Sequence, residues 1–66
     1  MTKETLKNTR WGTPVKYQAY WQKDSELFTR GRYYGLDISE TLAQVGIIAQ
    51  KRLQMVWIPL DNLQPY

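Results

Sequence analysis

The stretch Val45-Gly46-Ile47-Ile48-Ala49-Gln50-Lys51-Arg52-Leu53-Gln54-Met55-Val56-Trp57-Ile58-Pro59-Leu60-Asp61-Asn62-Leu63 decides the fold. Val45 to Gln50 carries apolar side chains in both phases of a strand, the pattern of a central strand buried on two sides. Lys51-Arg52 reads as the tip of a hairpin, and Leu53 to Ile58 as the next strand. Pro59 has no N–H to donate and ends the ladder. Leu60 to Leu63 then reads as a tight turn or a single 3₁₀ turn, leaving Gln64-Pro65-Tyr66 as a short final segment.

Upstream, Val15 to Gln22 alternates with period two. Val15, Tyr17, Ala19 and Trp21 share one face, while Lys16, Gln18, Tyr20 and Gln22 share the other, as in a half-buried strand. Lys23 to Glu26 is a polar turn. Leu27 to Tyr34 is a further strand, with Arg30, Arg32 and Tyr34 on one face. Gly31 and Gly35 mark bulges or bends, and a bulge at Gly35 would shift the phase so that Leu36 and Ile38 point inward. Ser39 to Gln44 reads as one helical turn capped by Ser39, or as a loop. Trp11-Gly12-Thr13-Pro14 is a turn. Ahead of it, Met1 to Arg10 is polar with Leu6 as its only interior apolar residue, which suits a loose arm or a frayed helical turn.

Five short strands with Gly-marked bends suggest a small barrel. Val56-Trp57-Ile58-Pro59-Leu60-Asp61-Asn62-Leu63 resembles the closing strand and 3₁₀ turn of SH3-like barrels. That likeness is confined to the end of the chain and carries no function with it. The fold it implies is all-β: a small five-stranded SH3-like barrel over residues 11–66, preceded by a flexible N-terminal arm over residues 1–10.

Composition sets the remaining bounds. A chain of 66 residues buries only about 60% of the surface it exposes when unfolded, so its stability is marginal. It has no Cys and no His, which removes disulfides, thiolates and imidazoles together. Three Trp, five Tyr and one Phe leave a dense aromatic core, or oligomerisation, to supply what a staple would. The first residues have no apolar stretch of the signal-peptide kind, and no apolar run nears the roughly 18 residues of a membrane span. The expectation is a cytoplasmic protein away from membranes. A net charge of +3 and a pI near 9.4 admit an anionic partner without demanding one.

Catalysis has little to work with. General acid–base chemistry at neutral pH leans on His, and the carboxylates Glu4, Asp24, Glu26, Asp37, Glu40 and Asp61 are scattered through the arm, turns and loops. No metal-ligand set and no phosphate-cradling Gly loop is present. The sequence therefore points to a binding module and not to an enzyme, with no cofactor and no metal. The leading reading is contact with another protein, or self-association, through an apolar surface or a sheet edge, and the alternative is nucleic acid. Met55 and Trp57, outward if Val56 and Ile58 point into the barrel, form an apolar patch suited to another protein or to self-association. Lys16, Tyr20, Arg30, Arg32 and Tyr34 instead offer cations and rings for nucleic acid, provided they form one stripe that Asp24, Glu26 and Glu40 do not interrupt. Such side chains also stabilise a solvent-facing sheet with no ligand at all.

Overall fold

The computed structural model describes residues 1–19, 22 and 24–66. A short helix α1 (Lys3–Lys7) precedes β1 (Pro14–Tyr17), β2 (Thr29–Leu36), β3 (Leu42–Ala49) and β4 (Arg52–Pro59). A 3₁₀ turn at Leu60–Asn62 leads into β5 (Leu63–Pro65). The strands form one sheet in the order β4-β3-β2-β1-β5, with every pair antiparallel.

That order forces the sheet to curl. β4 and β5 are its two edges, yet only Leu60–Asn62 separates them in the chain. The edges of a flat five-stranded sheet would lie about 19 Å apart at ~4.8 Å per strand. A 3₁₀ turn of three residues rises only ~6 Å. The sheet therefore bends until its edges approach at the Pro59 end, and it stays open, because β4 and β5 do not pair. Its concave face carries one core: Val15, Tyr17, Ala19, Tyr33, Ala43, Val45, Ile58 and Leu63, joined by Leu6 of α1. Burial raises the phenol pKa of Tyr17 and of Tyr33.

Several elements differ from their sequence reading. β1 ends at Tyr17 rather than running to Gln22. Beyond Tyr17 the chain turns: Gln22 N–H donates to the Ala19 carbonyl at 2.8 Å, and the Ala19 N–H donates to Gln22 Oε1 at 3.0 Å. Tyr20 and Trp21, expected on opposite faces of that strand, lie outside the described residues. The helical turn considered for residues 39–44 is absent, since β3 already begins at Leu42. The segment is a turn leading into β3, and Asp37 rather than Ser39 organises it. The Asp37 carboxylate accepts the N–H of Thr41 and of Leu42, each at 3.0 Å, and the Ser39 hydroxyl donates to it. The bulge does fall between Tyr33 and Leu36, where Gly35 adopts φ 118°. Leu36 then packs on the core, whereas Ile38, caught at the Asp37 corner, is fully exposed.

The first ten residues, expected as a flexible arm, supply part of the core. Thr2 caps α1 by accepting the Thr5 N–H at 3.3 Å. Leu6 is only 1% exposed. The Met1 α-amino nitrogen donates to the Leu60 and Leu63 carbonyls at 3.0 and 2.7 Å, and Lys7 Nζ lies 2.7 Å from Glu40 Oε2. No helix among the described residues is long and apolar enough to cross a membrane.

Candidate binding face

The strand register decides which side chains share the convex face. Lys16 opposes Arg30 and Pro14 opposes Arg32 across β1–β2, while Arg32 opposes Gly46 across β2–β3. Gly46 in turn opposes Met55, with Gln44 opposite Trp57 and Ile48 opposite Leu53. Directly opposed residues lie on the same side of a sheet, and alternate residues follow them. Lys16, Arg30, Arg32, Met55 and Trp57 consequently stand on one face. The two surfaces expected as rivals are halves of a single one.

Tyr34 joins them. A Cβ at Gly46 would lie 2.7 Å from Tyr34 Cε2 and 3.2 Å from Met55 Sδ, so the ring crosses the glycine and any side chain there would collide with it. The bare backbone of Gly46 is the floor between the basic half of the face and the apolar half. On β4, Val56 and Ile58 turn toward the core while Leu53, Met55 and Trp57 are 63%, 43% and 49% exposed.

In the basic half, the cations rest on rings and backbone rather than on carboxylates. Lys16 Nζ sits 4.7 Å from the centre of the Phe28 ring, and the Arg30 guanidinium 5.2 Å from that of Tyr66. Arg32 Nη1 donates to the Gly12 carbonyl at 2.8 Å. Among the described residues no carboxylate lies within 4.0 Å of any of the three, the ion pair found being Lys7–Glu40 beside α1. Asp24 is exposed in the turn before β2. Glu26 comes nearest to interrupting the stripe, since it lines one hollow with Lys16, Phe28 and Arg30.

Among the described residues, open hollows cross this face. One of about 460 Å³ is lined by Arg30, Arg32, Tyr34, Gly46, Leu53 and Tyr66 among others. Another, about 490 Å³, runs past Lys16, Glu26, Leu27 and Phe28, and shares Arg30 and Tyr66 with the first. Tyr66, Phe28, Ile48 and Leu53 are not among the site residues expected from the sequence. Phe28 shares the parity of Arg30 and was legible in principle. Tyr66 was not, because its place depends on β5 pairing with β1 across most of the chain. Tyr20, also a candidate for this face, lies outside the described residues.

Chemically, the face offers positive charge, exposed rings and an apolar row. Among the described residues no three His, Cys, Asp or Glu side chains gather as a metal site. Comparison of the chain with models of protein families, with curated proteins and with solved structures found no match.

Proposed function

We propose that this chain is a non-catalytic binding module on an SH3-like small barrel, and that its convex face takes a single strand of nucleic acid. The barrel reading is supported by the order β4-β3-β2-β1-β5 and by the 3₁₀ turn bridging the two edges of a curled sheet. The binding reading rests on one observation above all. Lys16, Arg30 and Arg32 project from adjacent strands of one face, beside Tyr34 and Tyr66, and none has a carboxylate in ion-pair range among the described residues. Charge left unneutralised by the protein is available to phosphates. Ring faces beside those cations add stacking with bases, which an acidic peptide would not use. Trp57, on the same face, favours a protein contact as a second reading, because nearly half of its surface is open.

The test is a titration with mixed-sequence oligonucleotides, single- and double-stranded, followed by tryptophan fluorescence at several salt concentrations. Three phosphate contacts on a single strand give a slope of log affinity against log salt of about −2. The double variant Arg30→Ala/Arg32→Ala loses most of the binding and flattens that slope. Glu26→Gln strengthens binding by removing a carboxylate that lines one hollow with Lys16 and Arg30. No saturable binding at micromolar protein in low salt would overturn the proposal.

A further inference from the structure

β4 ends the sheet, and among the described residues its outer edge has no strand beside it. It is eight residues long, and from Arg52 to Met55 every residue is exposed, including Gln54 on the inward phase. Over that length the strand stands clear of the core on both faces. Edges of this kind are normally blunted by charges, prolines or bulges. β4 has Arg52 at one end and Pro59 at the other, with nothing charged between them.

We propose that β4 pairs antiparallel, edge to edge, with β4 of a second copy of this chain, about a two-fold axis through Met55. In that register Leu53 of one copy faces Trp57 of the other, and Met55 faces its own counterpart. The exposed outer row thus becomes a ladder of apolar pairs. On the inner side Gln54 faces Val56. The ends match in charge as well. Lys51 falls beside Pro59 of the other copy, just short of the exposed Asp61, the only Asp or Glu in the sequence after Glu40.

The placement of charge favours the edge over the face. Stacking two convex faces would press Lys16, Arg30 and Arg32 of one copy against the same cations of the other. Edge pairing instead holds the two β2 strands five strand spacings apart, about 24 Å, well beyond the ~8 Å over which salt screens at physiological strength. The two convex faces would then form one continuous surface. The pairing does not depend on the nucleic-acid reading and stands or falls separately from it.

Sedimentation velocity over a concentration series, on the full chain without nucleic acid, tests it. The expected result is a monomer–dimer equilibrium. Met55→Lys weakens it by about tenfold or more, since it removes an apolar pair and opposes two like charges at the axis. Met55→Glu does the same. An equimolar mixture of the two variants restores the dimer, because the axis sets Lys against Glu. Met55 is exposed, so both variants keep the fold, and circular dichroism checks this. A chain monomeric up to millimolar concentration, a dimer that survives both single variants, or a mixture that stays monomeric would each overturn the proposal.

Discussion

The N-terminal segment and β4 are opposites in sequence and opposites again in structure, but the other way round. Met1 to Arg10 is polar, with one interior apolar residue, and it sends that residue into the core. β4 holds Leu53, Met55, Val56, Trp57 and Ile58, yet only Ile58 is buried. Position in the topology explains the reversal. α1 sits where the curled sheet leaves its concave face open, so one leucine completes the core. β4 is an edge strand, and only the part near Pro59, where the edges approach each other, is covered. Apolar content describes what a segment can bury, and topology decides what it does bury.

Truncating one leucine in each region separates the two. Leu6→Ala removes a fully buried side chain and is expected to cost about 2–5 kcal/mol. For a domain of this size, with a total stability of roughly 3–10 kcal/mol, that is a large share. Leu53→Ala, on the exposed row, is expected to change monomer stability by no more than about 0.5 kcal/mol. Urea denaturation of both variants at low protein concentration reads the two effects. A loss for Leu6→Ala as small as that expected for Leu53→Ala would mean that α1 is not part of the core.

Sequence reading succeeded where one face is buried and neighbours in the chain carry the signal. The alternation of Val15 and Tyr17 against Lys16 is such a case. So is the phase of β4, where β-branched Val56 and Ile58 turn inward. The bulge at Gly35 was legible because few other residues accept φ 118°. Legibility failed where placement depends on distant partners. A single leucine has no periodicity, so nothing in Met1 to Arg10 marked Leu6 as core. Arg30 and Met55 were read as members of separate surfaces because their common face follows from cross-strand registers, which no local pattern states. Before β3 the loop alternative holds as far as Thr41 and the helical one does not, because the Asp37 carboxylate takes the Thr41 and Leu42 N–H groups and turns the chain straight into the strand.

The hairpin tip offers a smaller test of the β4 side. The tip was expected at Lys51-Arg52, but Ala49 pairs with Arg52, which leaves Gln50 and Lys51 as the two loop residues. Both adopt positive φ, 53° and 62°. A two-residue turn with positive φ at both positions favours Asn-Gly, and neither Gln nor Lys suits it. Gln50→Asn with Lys51→Gly is therefore expected to raise stability by about 1–2 kcal/mol. An unchanged urea midpoint would show that the loop stores no such strain.

The smallest effect is a dependence on pH at the junction of α1 with the loop before β3. A hydrogen bond from Lys7, aided by its charge, holds the Glu40 carboxyl below its usual 4.5. Hydrogen bonds, first from the Ser39 hydroxyl and then from the Leu42 N–H, hold Asp37 below 3.8. Both native values are depressed, so the unfolded chain takes up protons first as pH falls. Their stabilisation is complete above the ordinary carboxylate values and is lost as pH drops through the native ones. Lys7 is raised above 10.5, chiefly by the same bond to Glu40, so its contribution is lost only on the alkaline side. The pair is exposed, which keeps the effect modest. Urea midpoints measured between about pH 6 and pH 3 should therefore fall, and fall less in Glu40→Gln, which retains only the Asp37 part. An equal fall in both proteins would mean that Lys7 and Glu40 do not fasten α1 to the sheet in solution, and that Leu6 holds it there alone.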